Sequence, residues 1–154
     1  MNAIILAAGL GSRLREITKS KHKALIEVKD IPNIERTILY LKESGIDEIY
    51  IVTGYLSSQF EYLTYKYGCK LIKNNKYREY NNIYSFYLAS KYLSDSYVID
   101  SDVVLFKNIF LDKPVFSTYY TIIRPESDEL EWNPVINENG IVTCLLYTSD
   151  AADE

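Results

Sequence analysis

Cysteine is scarce: Cys69 and Cys144 are the only two in 154 residues. Two thiols this far apart build no disulfide framework and offer no metal-ligand spacing. Cys69 follows Gly68 and precedes an apolar run, so it reads as a buried structural thiol. There is one histidine, His22, and no Ser-His-Asp or Cys-His set is visible. Positive charge is not in excess either. The formal net charge is -4, and the longest basic cluster, Lys19 to Lys23, is interrupted by Ser20 and His22. That excludes a broad nucleic-acid surface, although a few converging donors can still hold a nucleotide. The apolar start, Met1 to Ala8, has no basic residues ahead of it and is too short to span a bilayer. The chain is expected to be cytoplasmic, with neither nucleic-acid nor membrane partners. No internal repeat or low-complexity segment interrupts it.

What is present is an ordinary globular balance, 47% hydrophobic and 25% charged, which suits one domain with a core. Asn2 to Ala8 is a continuous apolar run ended by Gly9, the pattern of a central parallel strand buried on both faces. Gly9 to Lys23 reads as a long polar loop, and Leu25 to Val28 as a short strand turned by Lys29-Asp30. Asn33 to Ser44 reads as a helix, with Ile34, Ile38 and Leu41 on one face and Gly45 at its C′ position. Glu48 to Thr53 and Lys70 to Lys73 read as strands. Between them Ser57 to Tyr67 reads as a helix capped by Ser57. Ile83 to Leu93 reads as a third helix and Tyr97 to Asp100 as a fourth strand. Ser117 to Arg124 has strand composition, and Val135 to Val142 reads as a hairpin through Glu138-Asn139-Gly140. Alternating strands and helices imply a three-layer α/β/α fold with a mostly parallel central sheet, Rossmann-like in organisation. Ligands of such sheets bind at the carboxyl ends of the strands.

Two motifs occupy those ends. Gly9-Leu10-Gly11-Ser12-Arg13 follows the first strand. Its glycines let the backbone approach a phosphate, and Arg13 adds a fork of donors. It lacks the third glycine of a dinucleotide fingerprint and the Gly-Lys-Ser/Thr of a P-loop, and a bare Gly-x-Gly is equally a tight turn. Asp100-Ser101-Asp102 follows the fourth strand. One carboxylate there can ligate Mg²⁺ while the other braces it, and a turn or helix cap is the alternative. Their position behind Tyr97-Val98-Ile99 favours the metal, because carboxylates at the rim of a core sheet need a compensating partner.

Taken together, Leu6-Ala7-Ala8-Gly9-Leu10-Gly11-Ser12-Arg13-Leu14, Thr18 and Lys23-Ala24-Leu25-Ile26-Glu27-Val28 resemble the nucleotidyltransferase superfamily with a GT-A-like fold. Tyr80 to Ser85, Val98 to Asp102 and Glu131-Trp132 are similar to bacterial phosphocholine cytidylyltransferases. The likeness runs from Met1 to about Val142. It implies transfer of CMP from CTP to a phosphomonoester such as phosphocholine, with Mg²⁺ and release of pyrophosphate. The alternatives are a sugar-1-phosphate thymidylyl- or uridylyltransferase, and an inactive nucleotide-binding fragment.

Residue by residue, the resemblance implies that Leu6, Ala7, Ala8, Gly9, Gly11, Ser12 and Arg13 wrap the triphosphate. Lys23 would reach phosphate, and Gly54, Tyr55, Asn81, Asn82 and Ser85 would line base and ribose. Asp102, with Asp100 beside it, would hold the metal. Arg13, Lys23 and Asp102 would be the catalytic set. Trp132 would offer its face to a choline headgroup, or else pack on a sheet edge. Two departures stand out: Glu16 and His22 occupy positions where the family usually has proline. The loop is then freer before closing, and His22 reads as a solvated loop residue. The stretch Cys144 to Glu154 resembles a reading frame through a transposon-based sequencing adapter. The expected domain is therefore 1–143, followed by a non-native tail, 144–154.

Overall fold

The structure, a computed structural model, describes residues 1–14, 16–80, 82–121 and 132–147, apart from the side chains of Arg13, Trp132 and Tyr147. It divides into two units, Met1–Lys113 and Pro114–Glu154.

The first unit is built on four parallel strands. β1 (Asn2–Ala7) is the apolar run. A hairpin of two short strands, β2 (Glu27–Val28) and β3 (Ile31–Pro32), follows. Its turn residues Lys29 and Asp30 both have positive φ, 51° and 62°, as a two-residue hairpin loop requires. Next come helix α1 (Asn33–Glu43), strand β4 (Ile49–Thr53), helix α2 (Tyr62–Tyr67) and strand β5 (Lys70–Lys73). Helix α3 (Asn82–Ala89) and strand β6 (Ser96–Asp100) complete the unit. The sheet order is β5-β4-β1-β6, with Ile5 in register with Ile51 on one side and Ile99 on the other.

Alternation along the strands sorts side chains to two faces. Ala3, Ile5, Ala7, Ile49 and Ile51 pack with Ile34, Ile38 and Leu41 of α1 and Leu63 of α2. Ile4, Tyr50 and Val52 face the other way, onto Ala89 of α3. Helices therefore cover both faces, giving the expected three layers. Ile38 and Leu41 are fully buried, each contributing about 1.5–3 kcal/mol by leaving water. A polar tie joins α1 to α2: the Glu35 carboxylate accepts hydrogen bonds from Tyr62 Oη (2.7 Å), Lys66 Nζ (2.7 Å) and Tyr67 Oη. Burial pushes this carboxyl up, but the hydrogen bonds from Lys66, Tyr67 and Tyr62 outweigh it and hold it below the usual range.

Several local expectations change. The Gly9 to Lys23 loop contains 3₁₀ turns at Ser12–Leu14 and Ile17–Lys19, and a third, Lys23–Leu25, takes the start of the expected strand at Leu25. The helix expected over Ser57 to Tyr67 is split into a 3₁₀ turn, Ser57–Phe60, and α2. Leu56, at φ 49°, turns the chain, so Ser57 lies inside the turn and does not cap it. α3 likewise stops at Ala89 and gives way to a 3₁₀ turn, Ser90–Tyr92.

In the second unit, residues 117–121 form no strand, and the rest of that expected element lies outside the described residues. Their composition supplies propensity, but no described segment supplies them a ladder. The hairpin is present and longer than expected, with β7 (Trp132–Ile136) antiparallel to β8 (Val142–Tyr147). Gly140 takes φ 74° in its turn. Among the described residues no helix is long and apolar enough to cross a membrane.

Candidate functional site

The glycine loop leaves the carboxyl end of β1 and is tied to the turn after β4. Tyr55 N–H donates to the Ala8 carbonyl at 3.1 Å. Gly54 permits this approach, since a Cβ there would lie 2.8 Å from Ala8 O and 2.8 Å from the Tyr77 side chain. Gly11 adopts φ 65°, and its carbonyl accepts from Leu14 N–H (2.9 Å) and Thr18 Oγ1 (3.1 Å). Tyr55 Oη donates to the Thr18 carbonyl at 2.9 Å, so this hydroxyl serves the loop itself. Leu6 is half-buried and Ala7 and Ala8 are buried, while Ser12 is exposed in the turn.

His22 corrects the reading of a solvated residue: it has no exposed surface. Its Nε2 lies 3.1 Å from the Gly9 carbonyl, and Nδ1 accepts from Ala24 N–H at 3.1 Å. Nδ1 is therefore the acceptor, and Nε2 carries the proton towards Gly9. Gln59 Oε1 accepts from His22 N–H at 2.9 Å, and the Phe60 ring meets the imidazole edge-on at 4.8 Å. Burial lowers the imidazole pKa to about 4, with the Gly9 hydrogen bond opposing and the Lys23 charge adding to the fall. A neutral histidine thus braces the glycine loop against the Lys23 turn, at one of the two positions where the resemblance leads one to expect proline. Glu16, the other departure, is exposed and pairs with Lys19 at 2.7 Å.

Across the sheet, β6 delivers the two aspartates. Ser101 N–H donates to the Leu6 carbonyl at 3.1 Å, extending the ladder past the strand end. Lys23 Nζ then meets Asp102 Oδ2 at 2.7 Å. The ammonium stem packs against Gly11, where an added Cβ would lie 3.4 Å from Lys23 Cδ. Gly11, Ser12, Leu14, Lys23 and Asp102 line one open cleft of about 440 Å³. The Asp102 side chain is 54% exposed, and pairs at such exposure contribute at most about 1 kcal/mol, so a ligand can break this one. Asp100 lies outside the cleft lining and accepts from Asn82 Nδ2 at 3.2 Å. Partial burial raises its carboxyl pKa, repulsion from Asp102 adds to the rise, and Lys23 opposes it.

The remaining expected residues are dispersed. Ser85 is 1% exposed, and its hydroxyl accepts from Asn74 Nδ2 at 3.0 Å, so it lies beneath the surface. Asn81 and the side chains of Arg13 and Trp132 lie outside the described residues. Sequence reasoning missed the bracing roles of His22, Tyr55 and Gln59. The histidine in place of proline was the only signal for them. Among the described residues no three His, Cys, Asp or Glu side chains cluster to hold an ion. Asp102, exposed on the cleft, is a carboxylate there that could hold an ion.

The fold has known counterparts. Residues 3–146 match the MobA-like NTP transferase domain. The choline-phosphate cytidylyltransferase of Haemophilus influenzae is 59% identical over 142 residues, covering 92% of this chain and 60% of that protein. Its Streptococcus pneumoniae counterpart is 48% identical over 151 residues, covering 98% of this chain and 66% of that protein. The solved structure of the S. pneumoniae CTP:phosphocholine cytidylyltransferase LicC superposes with a TM-score of 0.88 at 47% identity, over 95% of this chain and 64% of that one. The chain therefore spans about two thirds or less of the length of these relatives.

Proposed function

Because this chain belongs to the family of MobA-like NTP transferase domains, we propose that it is the nucleotide-binding part of a cytidylyltransferase. The reaction moves CMP from CTP to a phosphomonoester, with phosphocholine the favoured acceptor. The observation that carries this reading is the cleft in which the glycine turn, Lys23 and Asp102 meet. The names of the relatives supply the nucleotide and the acceptor.

In this reaction an acceptor phosphate oxygen forms a bond to the α-phosphorus of CTP. The bond from that phosphorus to the β-phosphate oxygen breaks, and pyrophosphate leaves. The acceptor is already anionic, so no side-chain nucleophile or strong base is required. Catalysis is then positioning and charge neutralisation. The backbone of Gly11 and Ser12 receives the triphosphate, and Lys23 exchanges its Asp102 partner for phosphate oxygens. Arg13, one residue on, adds the charge that the resemblance assigns to it. Asp102 would hold Mg²⁺, with Asp100 beside it, and the ion would offset charge on the phosphates.

The test compares thermal stabilisation of the chain by CTP, UTP, dTTP and ATP, each with Mg²⁺. CTP is expected to stabilise most. A larger shift with dTTP or UTP would overturn the cytidylyl assignment in favour of a sugar-nucleotide enzyme.

A further inference from the structure

Asn33 is the first residue of α1, yet its side chain does no work for that helix. It is 3% exposed, and it points away along the chain to the aspartate turn. Its Nδ2 donates to the Ser101 carbonyl at 3.1 Å and to the Val103 carbonyl at 2.9 Å. These two carbonyls straddle Asp102. The amide orientation is fixed by them, because reversing it would set an oxygen against two acceptors. Asn33 Oδ1 and the neighbouring Ser101 Oγ are buried with no partner among the described residues. A buried polar group in this state costs about 1–3 kcal/mol, so this is not the arrangement that packing alone would favour.

The same residue also reaches the other side of the cleft. Asn33 N–H donates to the Ile26 carbonyl at 3.0 Å, and Ile26 N–H donates to the Lys23 carbonyl at 3.2 Å. One asparagine is thus bonded through its side chain to the peptides around Asp102 and through its backbone to the turn that carries Lys23. The Ser101 carbonyl belongs to the peptide plane that enters Asp102, and the Val103 N–H, which donates to the Asp100 carbonyl at 3.2 Å, belongs to the plane that leaves it; with both planes held, the direction of the Asp102 Cα–Cβ bond is set. We propose that Asn33 is a positioning residue that aims Asp102 at Lys23 and sets the carboxylate where a nucleotide-bound cation would meet it. This rests on the reading of Asp102 as the metal-holding acid. Partners that orient a metal ligand typically change metal affinity 10–100-fold when replaced, and Asn33 acts one step further back, through the backbone carbonyls beside Asp102.

The experiment is CTP titration by calorimetry on the chain, once with a chelator and once with saturating Mg²⁺. The readout is the gain in affinity on adding Mg²⁺. Asn33→Ala is expected to leave metal-free CTP affinity within about twofold and to cut the Mg²⁺ gain about tenfold. Asn33→Ser keeps one donor and should show an intermediate loss, and it decides the matter if circular dichroism shows Asn33→Ala to be unfolded. Asp102→Ala should remove the gain entirely. If both Asn33 variants keep the full gain while Asp102→Ala loses it, Asn33 is merely structural and the proposal fails with the metal reading intact. If Asp102→Ala keeps the gain, the metal reading itself fails and takes the proposal with it. A loss of metal-free CTP affinity equal to the loss with Mg²⁺ would also overturn it, since that is the mark of general loosening.

Discussion

Acid should loosen this protein through His22. The imidazole is fully buried, and its pKa falls from 6.5 to about 4. The sign follows from linkage: the folded state holds this proton less tightly than the unfolded chain does. The stability contributed by the neutral ring is therefore complete above pH 6.5 and is lost as pH falls towards 4. With those two values, the loss between pH 7 and pH 5 is about 2 kcal/mol and levels off near 3 kcal/mol below pH 4. At a urea dependence of about 2 kcal/mol per molar, the midpoint should fall by about 1 M between pH 7 and pH 5. The assay is urea unfolding at several pH values, comparing the native chain with His22→Gln. Glutamine does not titrate, so its curve should be flatter from pH 6.5 to pH 5, whatever its absolute stability. Glu35, with a lowered carboxyl, contributes only as pH falls further, and Asp100, with a raised one, acts in the opposite sense. Parallel curves for the two proteins across that window would refute the buried, neutral histidine.

Gly54→Ala should be costly without any backbone strain, because the new Cβ would sit 2.8 Å from the Ala8 carbonyl and from Tyr77. A loss of about 1–3 kcal/mol and weaker CTP binding are expected, and an unchanged melting temperature would contradict the close approach. The two thiols should separate cleanly under a thiol reagent. Cys144 is exposed and should react at once, whereas burial lifts the Cys69 thiol to about 11 and should keep it silent until urea unfolds the chain. Prompt labelling of both cysteines would show that Cys69 is not sealed in the core.

Much of the architecture could be read from local pattern. The run Asn2 to Ala8 contains β1 (Asn2–Ala7) because continuous apolar residues suit a strand covered on both faces, and both sheet faces are covered. Ile34, Ile38 and Leu41 repeat at the helical period, and that stripe is what α1 buries. The glycine loop and the aspartate pair were legible as well, since each directly follows a strand. Such signals state which side chains leave water and where the chain turns.

They do not state which polar groups meet once the layers close. His22 looked solvated because its partners, the Gly9 carbonyl and the Phe60 ring, lie 13 residues behind it and 38 residues ahead. Asn33 looked like an ordinary helix start, yet its amide is committed to carbonyls 68 and 70 residues away. The serine in the middle of α3 gave no sign that it would lie beneath Asn74. Periodicity registers apolar surface, which any sufficiently apolar neighbour can cover. Hydrogen bonds need a particular donor opposite a particular acceptor, and only the folded arrangement of β1, α1 and β6 places those pairs.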